Sequence, residues 1–208
     1  MKRLGITQRV ENIPSYNERR DCLDQRWSIL AFHLGYFPVP LPNIAAEKVP
    51  ALLDNLKLDG ILLSGGNSIT SLYPNADADD LAPERDAFEQ AILDETIKRN
   101  MPIIGVCRGM QLINVVFGGR LVPINGHVGE DHLIKHAENR PIPERVNSYH
   151  NWTIPQDGLA PILTPIAFDL AGNVEAFEYV DKNILGIMWH PEREHPFNPL
   201  DVELIKRY

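Results

Sequence analysis

Short apolar runs recur along the first half of the chain, separated by longer stretches in which apolar positions return every three or four residues. RLGITQR (3–9), FPVPL (37–41), GILLS (60–64) and PIIGV (102–106) have the length and composition of strands. Residues 21–34, 45–57 and 83–99 between them read as helices. The last opens with Pro83-Glu84 and carries Phe88, Ile92 and Ile97 at helical spacing. Gly35-Tyr36 and Asn100-Met101 stand where two of these helices stop. The alternation predicts an α/β fold, a mostly parallel central sheet with helices on its faces. After about residue 119 the pattern changes. RVNSY, ILTPIAFDL, EAFEYV and NILGIMWH predict shorter, partly antiparallel elements, and residues 125–145, rich in Pro, His, Glu and Arg, predict an irregular loop.

A length of 208 residues predicts a single domain spanning 1–208, and 44% apolar residues suffice for a substantial core. Lys plus Arg number 20 against 28 Asp plus Glu, giving a net charge of −8 with no long basic run, which argues against a nucleic-acid partner. No apolar stretch approaches the roughly 18 residues of a membrane span. The start MKRLGITQRVENI lacks the apolar core of a secretion signal, so a cytoplasmic protein without membrane association is expected. The two cysteines, Cys22 and Cys107, lie in unlike contexts, one in a charged segment and one between glycines. A reactive thiol is therefore a stronger expectation than a disulfide.

Strand PIIGV runs into Cys107-Arg108-Gly109 and then MQLINVVF, so the order is strand, sharp G-x-C-x-G turn, helix. That is a nucleophile elbow with sulfur in the nucleophile position. The glycines remove side chains where strand and helix crowd, and the helix N-terminus favours a negatively charged sulfur. Far along the chain, the apolar strand NILGIMW ends in His190-Pro191-Glu192. Pro191 biases His190 towards an extended backbone, in which residues two apart point to one side, so Glu192 can hold one ring nitrogen while the other faces Cys107. A third piece, Ser64-Gly65-Gly66-Asn67, follows strand GILL at a carboxyl end. The N–H of Gly66 and the N–H of Arg108 are the candidate oxyanion donors.

Gly105-Val-Cys107-Arg-Gly-Met-Gln111 with Gly118-Gly119, the upstream Arg85-Asp86-Ala-Phe88-Glu89, the Ser64-Gly-Gly turn and His190-Pro-Glu192 together resemble the class I glutamine amidotransferase superfamily. Within it they look most like the γ-glutamyl-γ-aminobutyrate hydrolase (peptidase C26) group. The order Cys, His, Glu disfavours an α/β-hydrolase, whose acid precedes its histidine. The resemblance covers residues 58–192 and implies a flavodoxin-like three-layer fold and a Cys-His-Glu triad. In that triad Cys107 is the nucleophile, His190 the base and then acid, and Glu192 the orienting carboxylate. Gly66 and Arg108 match the oxyanion donors. Gln111, Ser148, Tyr149 and His150 match positions that line the glutamyl pocket.

The resemblance implies no cofactor and no metal. The expected partner is a small γ-glutamyl substrate, with a homodimer allowed and no synthase subunit required. Members of the group release glutamate from γ-glutamyl-γ-aminobutyrate or, in compact versions tied to surface-polysaccharide pathways, from γ-glutamyl-CDP-amidate. The short insert after the elbow helix and the arginines of the N-terminal segment favour the nucleotide conjugate. The alternatives are a glutaminase subunit feeding a separate synthase and a non-catalytic binding module.

Two departures touch the leaving-group side. Asn67-Ser68 replace an acidic position after the glycines, and the insert before NSYH is short. The charged stretch 8–27, with Arg9, Arg19, Arg20 and Arg26, reads as a solvated helix face with i,i+4 pairs, the other reading being a pocket wall with arginine forks. His127, His132 and His136 have no carboxylate or thiol at ligand spacing, so a polar lid is expected there and no metal.

Overall fold

The computed structural model describes residues 1–75, 77–137 and 141–208. The elements are β1 (Lys2–Thr7), β2 (Arg9–Ile13), β3 (Glu18–Cys22), α1 (Gln25–Leu34), β4 (Tyr36–Leu41), α2 (Val49–Leu56), β5 (Gly60–Leu63), α3 (Pro83–Lys98), β6 (Ile103–Val106) and α4 (Arg108–Val116). After them come β7 (Val122–Pro123), β8 (Val128–His136), β9 (Arg145–Tyr149), β10 (Trp152–Pro155), β11 (Thr164–Asp169), β12 (Asn173–Tyr179), β13 (Ile184–Ile187) and α5 (Pro199–Ile205). Strands β4, β1, β5, β6 and β13 lie side by side and parallel. Beyond β13 the same sheet continues antiparallel through β12, β11, β8 and β9.

The inner parallel strands β5 and β6 are covered on both faces, so every residue of GILL and IIGV is buried. Their side chains alternate between two cores. Leu62, Ile104 and Val106 join Trp27 and Leu30 of α1 and Leu204 of α5, whereas Ile61, Leu63 and Ile103 join Leu53 of α2, Phe88 and Ile92 of α3 and Ile113 of α4. Among the described residues no helix is long and apolar enough to cross a membrane.

Two expectations are corrected. The charged stretch 8–27 is not a helix face: β2 and β3 form an antiparallel hairpin, and α1 starts only at Gln25, capped by the Asp24 side chain. Two of its ion pairs accordingly run i,i+2 along strands, Arg9 with Glu11 and Arg20 with Glu18, while Arg19 reaches across to Glu84 of α3; none runs i,i+4 among the described residues. Much of the expected loop 125–145 is strand β8, paired with β9 and β11. Only Ile134 of that strand is buried, so no apolar alternation marked it in the sequence.

Candidate active site

The carboxyl ends of β1, β5, β6 and β13 deliver Thr7, Ser64, Cys107 and the Met188-Trp189-His190 segment to one rim of the sheet. At that rim Cys107 takes φ 52° and ψ −107°, a conformation that side chains other than glycine rarely adopt. Packing enforces it. A Cβ on Gly109 would lie 2.2 Å from the Leu63 carbonyl oxygen, and one on Gly105 would lie 2.7 Å from the Gly109 carbonyl carbon. Only glycines let strand and helix approach this closely.

His190 Nδ1 lies 2.7 Å from Glu192 Oε1, with both side chains almost fully buried. A Cβ on Gly65 would meet His190 Cε1 at 2.7 Å and Cys107 Cβ at 3.6 Å, so ring and thiol share the space in front of that glycine. Burial works against a charged imidazole. The interaction with the Cys107 sulfur, the hydrogen bond to it and the Glu192 carboxylate outweigh burial and lift His190 to about 9. Sulfur, imidazole and carboxylate therefore converge, an arrangement able to attack a carbonyl carbon and to protonate a leaving group.

Asn147, in β9, fixes the backbone on which the imidazole rides. Its Oδ1 accepts the His190 N–H at 2.9 Å and its Nδ2 donates to the His190 carbonyl at 2.9 Å. The sequence reading missed this residue, although a polar side chain inside strand RVNSY was its signal. Arg85 does the same for the glycine turn. It is fully buried and donates to the carbonyls of Ser64 (2.8 Å), Gly65 (3.1 Å) and Gly66 (2.5 Å). Its partner one turn on, Glu89, also takes the Arg108 guanidinium, which reaches Asp86 as well. Burial lowers Arg85 to about 10, leaving it charged at neutral pH. Burial pushes Glu89 upward, but the Arg108 and Arg85 guanidiniums outweigh it and hold the carboxyl below its usual range.

Asn67 closes the site from the hairpin side. Its Oδ1 accepts the Val10 N–H at 2.7 Å while its Nδ2 donates to the carbonyls of Val10 (2.9 Å) and Asp80 (3.0 Å). An aspartate could accept but not donate, so the departure at this position has a structural reason: the amide pairs with the hairpin backbone as a strand would.

Two adjoining cavities of about 200 and 180 Å³ meet at Cys107, Gly66, Arg9 and Tyr149. The first is further lined by Gln111, Tyr73, Trp152 and Arg108, the second by His190, Glu192, Arg193 and Asp24. Gln111 is buried, not an exposed helix residue, and donates to the Trp152 carbonyl at 2.8 Å. Tyr149 is 41% exposed and not a core aromatic; it lies edge-on to His190 and beneath the Arg193 guanidinium. His150 also lines the first cavity, and its Nδ1 lies 2.9 Å from the Trp152 carbonyl oxygen.

Ser148 departs from expectation. It borders neither cavity, because strand alternation turns it away from Asn147 and Tyr149, and its hydroxyl donates to the His127 carbonyl at 2.7 Å. The histidines part company as well. His136 lies near Leu133 and Glu144, away from both cavities, whereas His127 and His132 meet Glu175 of β12, the carboxylate that local spacing could not reveal.

The peptidase C26 family model matches residues 4–192. A γ-glutamyl-CDP-amidate hydrolase of Campylobacter jejuni is 31% identical over 205 residues, covering 99% of this chain and 96% of that protein. A γ-glutamyl-γ-aminobutyrate hydrolase of Escherichia coli O157:H7 is 30% identical over 202 residues, covering 82% and 78%. A solved glutamine amidotransferase of Thermotoga maritima superposes with a TM-score of 0.65 at 16% identity, covering 99% of this chain and 83% of that one, a likeness of fold.

Proposed function

The chain belongs to the peptidase C26 family, and on that premise we propose that it is a stand-alone cysteine hydrolase that frees glutamate from a γ-glutamyl conjugate through a thioester on Cys107. One observation carries the reading: the sulfur stands where two clefts join, with Gln111 in one and His190 in the other. An acyl group held beside Gln111 and Trp152 presents its carbonyl carbon to the sulfur while its leaving nitrogen faces the imidazolium.

Sulfur adds to that carbon, and the carbonyl oxygen takes the negative charge towards the N–H groups of Gly66 and Arg108. The C–N bond breaks as His190 passes its proton to the nitrogen, leaving a γ-glutamyl thioester and a neutral imidazole held by Glu192. That imidazole then takes a proton from water, whose oxygen attacks the thioester; glutamate departs and the thiolate–imidazolium pair is restored. Losing either backbone donor costs about a hundredfold or more in rate. Residues Gln111, Tyr149 and His150 line the glutamyl side, while Ser148 supports His127 from behind.

Arg9 borders both clefts and Arg193 the second, where Asp24 and Glu192 also stand, so the leaving-group side offers two guanidiniums to an anionic group among acidic neighbours. Together with the full-length similarity to the Campylobacter protein, this supports γ-glutamyl-CDP-amidate as the substrate, with γ-glutamyl-γ-aminobutyrate next. Incubating the purified chain with each conjugate and measuring glutamate tests the choice. A higher kcat/KM on the nucleotide conjugate is expected; equal or better turnover of the aminobutyrate conjugate overturns the substrate. Glutamine hydrolysis that appears only with a second protein overturns the stand-alone reading.

A further inference from the structure

Behind the wall of the first cleft, a buried carboxylate faces imidazoles that do not satisfy it. Glu175 of β12 is fully buried, and among the described residues neither of its oxygens has a well-formed hydrogen bond, His132 being its nearest polar neighbour. His132 Nε2 stands 3.4 Å from Oε2, and His150 Nε2 stands 3.9 Å from Oε1, both too far for a charge-assisted hydrogen bond. The His127 ring packs against both, with centroids 4.7 Å from His132 and 4.9 Å from His150, and its Nδ1 is buried with no hydrogen-bond partner among the described residues.

The tautomer of His150 sharpens the mismatch. Its Nδ1 approaches a carbonyl oxygen, which can only accept, so Nδ1 carries the hydrogen. In the neutral ring Nε2 is then a bare lone pair directed at a carboxylate. Two acceptors facing each other in a dry interior repel unless something positive lies between them.

We infer that His127, His132, His150 and Glu175 form a binding site for a divalent transition metal of the zinc class. Donor atoms of His127, His132 and Glu175 all lie within 4.8 Å of one another, near enough for small side-chain rotations to bring them to the roughly 3.3 Å that separates ligands of one tetrahedral ion. Imidazoles with one carboxylate suit zinc, cobalt or nickel rather than the all-oxygen shells of magnesium and calcium. Outer-sphere bonds already orient the set: the Trp152 carbonyl fixes His150, and the His127 carbonyl takes both the His150 N–H at 2.9 Å and the Ser148 hydroxyl. Four protein ligands leave no open position, so the ion is structural, tying the segment before β8, strand β8, the turn after β9 and strand β12 into one unit. The inference is independent of the hydrolase reading.

The test uses the full chain, stripped with chelator and titrated with Zn²⁺ by calorimetry and with Co²⁺ by optical spectroscopy. One equivalent of Zn²⁺, a tetrahedral Co²⁺ spectrum and a rise in Tm on zinc addition are expected. His127→Gln, at a partly exposed position, and Glu175→Gln are expected to weaken Zn²⁺ binding by roughly a hundredfold or more. Cys107→Ser is expected to bind as well as the parent, which separates this site from capture by the reactive thiol. Absence of stoichiometric binding, binding that survives His127→Gln in a folded protein, or binding lost in Cys107→Ser overturns the site.

Discussion

Cys107 holds a backbone conformation that its surroundings must sustain, because φ of 52° is unfavourable for any residue with a Cβ. The strain aims the sulfur at the cleft, so Cys107→Ala should remain folded and bind a γ-glutamyl substrate while releasing no glutamate above background. Glutamate release by that variant, measured against a buffer blank, would contradict the nucleophile. His190 sets the pH response. Its folded pKa of about 9 exceeds the ordinary 6.5, so its stabilising contribution is complete below pH 6.5 and is lost as pH rises through about 9. In the proposed mechanism the proton for the leaving nitrogen disappears over the same range, so kcat/KM should fall on the alkaline side near pH 9. Glu192→Gln, which removes a raising charge, should move that limb to lower pH. Asn147→Ala leaves the Cys107, His190 and Glu192 side chains intact but frees the His190 backbone; kcat should drop about a hundredfold with KM little changed. A rise in KM at constant kcat would show that Asn147 touches substrate instead.

Among elements, the β2–β3 hairpin is tied to the sheet rim by the Asn67 amide, alongside the Asn43–Asp21 hydrogen bonds and the Arg19–Glu84 ion pair. Asn67→Asp removes the donors to the Val10 and Asp80 carbonyls and should cost about 1–3 kcal/mol. The loss should be local, read as faster hydrogen exchange across Arg9–Cys22; unchanged exchange there would mean that the hairpin is held by other contacts. The hairpin and the elbow differ in how far the sequence exposed them. The elbow was legible because strand, glycines and helix are consecutive and their crowding is local. His190 and Glu192 were legible because two residues on an extended chain share a side. The hairpin was not, because alternating charges on an exposed ribbon leave no apolar period to read. Glu175 escaped for another reason: its meeting with His127 and His132 is made by sheet order, through β8, β11 and β12. Ser148 was misplaced because likeness names a stretch while strand alternation decides which of its side chains faces the cleft.

Over the whole molecule, the alternation of strands and helices was enough to specify a parallel sheet with two covered faces, while the antiparallel extension rests on pairings between distant segments. One buried acid couples that architecture to pH. Asp201 of α5 accepts the Trp189 Nε1–H at 2.9 Å. Burial, reinforced by Glu194 and Glu192 against that hydrogen bond, pushes its carboxyl from 3.8 to about 7. A raised acid contributes stability that is complete below pH 3.8 and lost as pH rises through about 7. Asp201→Asn keeps the acceptor and removes the buried charge, so it should raise stability at pH 8 by roughly 2–4 kcal/mol and by much less at pH 4.5, as measured by denaturant unfolding. An equal effect at both pH values would contradict the assignment. The proposed hydrolysis turns on covalent chemistry at one sulfur, and acid-quenched mass spectrometry during turnover of a γ-glutamyl conjugate reads it directly. A γ-glutamyl adduct on the Cys107 peptide, absent from Cys107→Ala, is the predicted result; glutamate release with no adduct in the parent and undiminished turnover in the variant would contradict it.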